Sequence, residues 1–205
     1  MSGIIAQNSG RHTGLVKASS GGGGVWNLIE TLTSDGSDSD LSFTSGIDST
    51  YDEYVFKFIN MHPETDGAEF QFNMSIDSGS NYNVTKTTTF FQSQHDESDS
   101  YTNLSYLTDH DLAQGTGFQD LGRNVGNDND QSCAGYLHLF NPSSTTFVKH
   151  FIARLNNAQD ISSTHYSAET LIAGYGNTTS AVDAVQFKFS ADEIQGGSIS
   201  LYGIS

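Results

Sequence analysis

Apolar and polar side chains alternate along much of this chain with a period of two. Between Glu69 and Asp77, Phe70, Phe72, Met74 and Ile76 fall on one side, and Glu69, Gln71, Asn73 and Ser75 on the other. Successive side chains of a strand point to opposite faces, so this alternation predicts a half-buried antiparallel strand. Asp52 to Met61 places Tyr54, Phe56 and Phe58 on one face, and Pro63 to Gly67 between the two runs reads as a hairpin loop. Asn81 to Phe91, rich in Thr and aromatics, follows the turn Asp77-Ser78-Gly79-Ser80. Further on, Tyr136 to Phe140 is a short strand closed by Asn141-Pro142-Ser143-Ser144. Phe147, Phe151, Ala153 and Leu155 share one face of the next strand, and His165 to Tyr175 forms another. Val185, Phe187 and Phe189 alternate with Gln186 and Lys188, and Ile199 to Ile204 closes the series.

About nine or ten strands at this spacing predict an all-β fold, an antiparallel β-sandwich. Its core is expected to hold Phe56, Phe58, Phe70, Phe72, Phe151, Phe187 and Leu201 between two sheets. Helical signals are thin: Leu104 to Leu112 has room for one turn before glycines interrupt it. Asp109 to Ser132, rich in Gly, Asn and Asp, reads as one long loop at an exposed rim, touching a neighbouring protein or a host glycan. Leu112, Phe118, Leu121 and Val125 are expected to pin it, with Asp109, Asp111, Asp120, Asp128 and Asp130 facing water.

Residues 1–24 stand apart. They carry Arg11 and Lys17 but no acidic residue, and end in Gly21-Gly22-Gly23-Gly24. Four glycines in a row do not hold one conformation cheaply, so this stretch reads as a flexible N-terminal arm with a hinge. Residues 25–205 form the sandwich body. Ser2, Gly3, Ile4, Ile5, Arg11 and Lys17 are the arm residues expected to bind a partner.

Charge narrows the partners. Against 8 Lys+Arg stand 24 Asp+Glu, a net charge of −16. Such a surface repels phosphate backbones and anionic membranes, so neither nucleic acid nor an anionic membrane is an expected partner. No apolar run approaches the roughly 20 residues of a membrane-spanning helix. Met1 to Gln7 has no basic stretch followed by an apolar run, so no signal peptide is expected. The single cysteine, Cys133, excludes an intrachain disulfide and reads as a small residue at a strand entrance.

Chemical motifs are sparse. The chain has no G-x-S-x-G, H-E-x-x-H or phosphate-loop motif, and no enzymatic activity is expected. Its seven histidines, His12, His62, His95, His110, His138, His150 and His165, form no close pair. Glu53, Glu69 and Glu169 are carboxylates on or beside strands that a glycosidase would need to bring together. Calcium is the better chemical candidate, since Asp35, Asp38 and Asp40, and Asp128 and Asp130, cluster hard oxygen donors in loops. Neither stretch matches the EF-hand pattern, and Asp is an ordinary turn former; no cofactor is expected. Tyr82, Tyr101, Tyr106, Tyr166 and Tyr175 lie near strand ends or loops, where they offer faces for sugar stacking.

Three segments resemble virion structural proteins of marine tailed bacteriophages, such as those infecting cyanobacteria. They are Gly21 to Ile29, Ile47 to Pro63, the most specific, and Gly197 to Ile204. The resemblance spans Val25 to the C-terminus. It implies a jelly-roll-like sandwich displayed on a capsid or tail, as decoration, fibre or tail fibre, and no catalytic residues come with it. The expected partners are other virion proteins, further copies of the chain in a homo-oligomer, most simply a trimer, and a host-surface glycan. The expected location is the virion, after synthesis in the host cytoplasm. A carbohydrate-binding β-sandwich module is the alternative.

Overall fold

The computed structural model describes residues 25–161 and 164–205. Thirteen strands make up the fold: β1 (Trp26–Thr33), β2 (Leu41–Phe43), β3 (Glu53–Pro63), β4 (Ala68–Ser75), β5 (Lys86–Asp96), β6 (Thr102–Tyr106), β7 (Ala113–Gly115), β8 (Gln119–Val125), β9 (Cys133–Phe140), β10 (Lys149–Ile161), β11 (Thr164–Gly176), β12 (Ala184–Phe189) and β13 (Ile194–Ile204). Every pairing is antiparallel. The long layer runs β1-β13-β3-β9-β10-β11-β5, with β6 and β7 end to end on the far edge of β5. The short layer runs β8-β4-β12-β2. The layers meet where Gln159 of β10 pairs with Val125 of β8, and again where Asp38 bridges Ile194. The result is a sandwich that nearly closes into a barrel.

Eight of the strands form a jelly roll. β1 pairs with β13, β2 with β12, β3 with β9 and β4 with β8, the pattern left when a long hairpin is wrapped around a barrel. The other five strands are insertions, β5 to β7 between β4 and β8, and β10 and β11 between β9 and β12. They all join the long layer and widen it on one side.

The expected core residues Phe56, Phe58, Phe70, Phe72, Phe151, Phe187 and Leu201 are all buried between the layers. Phe72 meets Phe151 across the gap at 4.9 Å between ring centroids. Each sheet contributes alternate side chains to this layer, as the period-two pattern requires.

Several expectations about connections fail. Pro63 to Gly67 does not close a hairpin, because β3 pairs with β13 and β9, and β4 with β12 and β8. It carries the chain from one layer to the other, and loop residues alone do not say which strands will pair. Residues 104–112 hold strand β6 and a turn instead of helix, and the count of strands exceeds the expected nine or ten. The stretch from Asp109 to Ser132 contains β7 and β8, and β8 is an integral strand of the short layer. Leu121 and Val125 are core residues there, but Asp111 accepts a hydrogen bond from Tyr106, and Asp120 is half-buried against Gln71 and His110. In β4 the simple alternation breaks: Asn73 and Ser75 are buried, whereas Ile76, just past its end, is exposed. Asn73 is covered by the segments at Tyr82 and Thr116, to whose carbonyls its Nδ2 donates. Phe147 precedes β10 in an exposed turn and does not share the face of Phe151.

Lys86 is fully buried on the inner side of β5. Its Nζ donates to Asn73 Oδ1 and to the Val84 carbonyl, 2.8 Å away. Burial pushes its pKa down from 10.5 to about 7. The unfolded chain therefore binds more protons than the folded one between about pH 7 and 10.5, and stability should rise with pH across that window. Chemical denaturation at a series of pH values checks this. Lys86→Met should flatten the rise and be more stable than the parent at pH 6; an unchanged slope would assign the rise to other groups.

Candidate interaction face

The outward side of the long layer is built by strand register. Across β6, β5, β11, β10, β9 and β3 stand Tyr106, Phe91, Leu171, Arg154, Tyr136 and Lys57, each opposite the next. A parallel row holds Leu104, Ser93, Glu169, Asn156 and Ala134. Their neighbours in sequence, such as Phe90, Ala168, Thr170, Ile172, Ala153 and Leu155, point inward and are buried. Toward β1 the same side carries Ile59, Trp26 and Leu28, with Lys57 Nζ 5.7 Å from the Trp26 ring centre. The outward positions of the short layer are polar instead: Glu69, Gln71, Gln186, Lys188, Ser42 and Asp120. The two faces of the sandwich thus differ in kind.

Along the second row runs a shallow trough of about 550 Å³, lined by Ser93, Leu104, Asn156 and Glu169 of that row and by His95, Thr102, Asn103 and Ser167 on its far side from the first row. Small side chains at Ser93 and Ser167 leave its floor low. Glu169 is bonded by Arg154 Nε, and Asn156 Nδ2 donates to Ser167 Oγ and the Ala168 carbonyl, each at 3.0 Å. The Arg154 guanidinium is held above its ordinary pKa by the Glu169 carboxylate that accepts its hydrogen bond. Beside the trough, the Asp96 carboxylate accepts hydrogen bonds from Ser98, Ser100 and the Ser100 and Tyr101 amides. These donors, led by the Ser100 hydroxyl, hold its pKa well below the usual carboxylate range. This ties the turn between β5 and β6. Asp96→Ala should speed amide hydrogen exchange in residues 97–101 while leaving exchange in β3 unchanged; equal protection in both proteins would show the turn is held by other bonds.

The sequence candidates fall in scattered places. Asp35 accepts from the Ser37 amide and hydroxyl, Asp38 from the Asp35 amide, and Asp40 from Ser42 and Ser39, so each serves its own turn. Asp128 and Asp130 are exposed in a separate turn, where the Asp128 carbonyl accepts from the Gln131 amide at 2.8 Å. Among the described residues, no group of three or more His, Cys, Asp or Glu side chains converges to hold a metal ion. Glu53 is bonded to His138 and Glu169 to Arg154 on the long layer, whereas Glu69 lies on the short layer with Ser190. Of the tyrosines, Tyr101 and Tyr106 are exposed, while Tyr82, Tyr166 and Tyr175 are half-buried. Cys133 opens β9 as a buried residue, and burial pushes its thiol pKa up. Ser2, Gly3, Ile4, Ile5, Arg11 and Lys17, with His12, lie outside the described residues.

The face itself was missed in the sequence. Phe91, Leu104 and Leu171 lie on three strands, and only register brings them side by side. The available signal was the uncharged run Thr102-Asn103-Leu104-Ser105-Tyr106, whose last three residues fall within the Leu104 to Leu112 stretch given room for one helical turn.

The class that fold and face define is an antiparallel jelly-roll sandwich with one widened, partly apolar layer. No family model, curated protein or solved structure matches the chain.

Proposed function

We propose that this chain is a non-enzymatic structural protein of a phage particle, displayed as capsid decoration, fibre or tail fibre and working as a homo-oligomer. The observation that supports this best is the asymmetry of the sandwich. A jelly roll widened by five inserted strands carries a polar short layer and an outward long layer rich in exposed Phe, Tyr and Leu. Contiguous exposed apolar surface on a soluble sandwich marks a place of association. Placement on a phage particle rests on the resemblance of Gly21 to Ile29, Ile47 to Pro63 and Gly197 to Ile204 to virion proteins. Attachment to the particle is assigned to the segment before the Gly21 hinge.

Purified particles should contain this polypeptide at a fixed ratio to the major capsid protein, and its density should be traceable in an electron-microscopy map. Abundance in lysed cells with absence from washed particles would refute the reading. Deleting residues 2–20 should leave a folded body that no longer joins particles; full incorporation would remove the docking role of the arm. The second reading, a carbohydrate-binding module, is favoured by the trough, where Ser93, Asn156 and Glu169 present polar groups next to the hollow that Phe91 lines.

A further inference from the structure

β6 is an edge strand. Its one partner among the described strands is β5, and Thr102, Asn103, Leu104 and Tyr106 are exposed. Edge strands are normally blunted by charge, proline or a bulge, because their unpaired backbone is a template for another chain. Thr102-Asn103-Leu104-Ser105-Tyr106 has no charged residue and no proline, and its pairing with β5 runs without a register shift. Leu104 projects from it with 76% of its surface exposed. Beside Leu104 lies a hollow of about 270 Å³ lined by Phe91, Ser93, Glu169 and Leu171. A knob and a hollow of similar chemistry therefore sit on one patch.

The charge of the patch points to its occupant. A protein of net charge −16 repels its own copies, so association needs a surface relieved of negative charge. On the outward side of β9, β10, β11, β5 and β6 the acidic side chains are Glu169, paired with Arg154, and Asp160, 3.6 Å from His165. His95, at the border, faces Asp99 at 3.1 Å. With histidine neutral, as in that count, the one positive charge of Arg154 against the two negative charges of Glu169 and Asp160 leaves this outward side at −1, with Asp99 beside His95 and Asp111 beside Tyr106 at its border, a small share of the −16. A basic partner would be drawn to the more acidic surface elsewhere, whereas a second copy meets little repulsion here.

We infer that a second copy of this chain docks on the β6 edge and the adjoining outward face, with Leu104, Phe91 and Leu171 at the centre of the contact. This rests on the homo-oligomer reading above and names its surface. Burying Leu104 against the hollow removes apolar area from water on both copies, and the edge of β6 that faces no other described strand gains a partner.

Sedimentation of the full chain at micromolar concentration tests it. The parent should sediment as an oligomer. Leu104→Glu and, separately, Leu104→Lys should shift it to monomer with the far-UV circular dichroism of the parent, and the opposite signs exclude simple repulsion as the cause. Lys188→Glu, on the polar short layer, should leave the oligomer intact. A monomeric parent would overturn the homo-oligomer reading, and this inference with it. An oligomeric parent whose Leu104 variants remain oligomeric would overturn the surface alone. Binding of cellohexaose by the parent, abolished by Leu104→Glu without any change in sedimentation, would give the patch to a neutral glycan and overturn the inference.

Discussion

Phe187→Ala should destabilise the protein by about 3–5 kcal/mol, the range for removing a fully buried aromatic ring. Phe187 sits in β12 at the centre of an aromatic cluster and is fully buried. Its ring lies 5.1 Å from Phe56 and from Phe58 on the opposite layer. Phe70, Phe72 and Phe43 of its own layer surround it at 6.1 to 6.3 Å. Edge-to-face and offset contacts of this kind add to the area each ring hides from water. The site cannot collapse easily, because the neighbours that would have to move are rings fixed by two sheets. Phe72→Ala, at the Phe151 contact, should fall in the same range of about 3–5 kcal/mol. Urea titration checks both, and a loss below about 1 kcal/mol at either position would mean the two layers are not packed through it.

Gly197→Ala should be the second large effect, with a loss of about 3 kcal/mol or more once backbone strain and overlap act together. Gly197 has φ of +112°, a conformation that L side chains rarely adopt. A Cβ added there would lie 2.6 Å from the Asn60 carbonyl oxygen and 2.8 Å from Met61 Cα. Those atoms belong to the backbone of β3 and cannot rotate aside. The position is part of a bulge: β13 shifts register against β3 on both sides of Gly196, β3 shifts against β9 between Phe58 and Met61, and Asn60 has φ of 51°. Such a bulge bends the strands and helps the long layer curl over the short one. The variant should also lose the tight pairing of Ser198 with Ile59, read by faster amide exchange at these positions. A denaturation midpoint equal to the parent's would mean the bulge relaxes at no cost.

Much of the fold was legible because burial in a sandwich imposes a period of two. Phe56 and Phe58, Phe70 and Phe72, and Val185, Phe187 and Phe189 announced three strands and the face each buries. The break in β4 was not legible, because the polar Asn73 is buried under Tyr82, nine residues on, and Thr116, 43 residues on, and the sequence does not show that either chain segment folds over it. Strand β8 was hidden for a different reason. Gln119 to Val125 contains Gly122, Arg123 and Asn124, so its composition is that of a loop, and partners supply what propensity lacks. Gln119 is buried there by hydrogen bonds to Thr88 and the His110 carbonyl. Lys86 is the sharpest case, a charged type that composition places outside and that backbone and amide oxygens hold inside.

The chain's own order of residues determined that this protein is all-β, which aromatic side chains make its core, and that it carries a net charge of −16. Those properties depend on alternation and on total charge, both of which are local or additive. Which strands pair, and therefore the wrap of β1 on β13 and β2 on β12, was decided only in three dimensions. So was the meeting of Leu104, Phe91 and Leu171 on one outward patch. The physical reason is the same for both: a strand's pattern says which side is apolar, but its edges are chemically alike, and only packing of the whole chain selects the neighbour and the register.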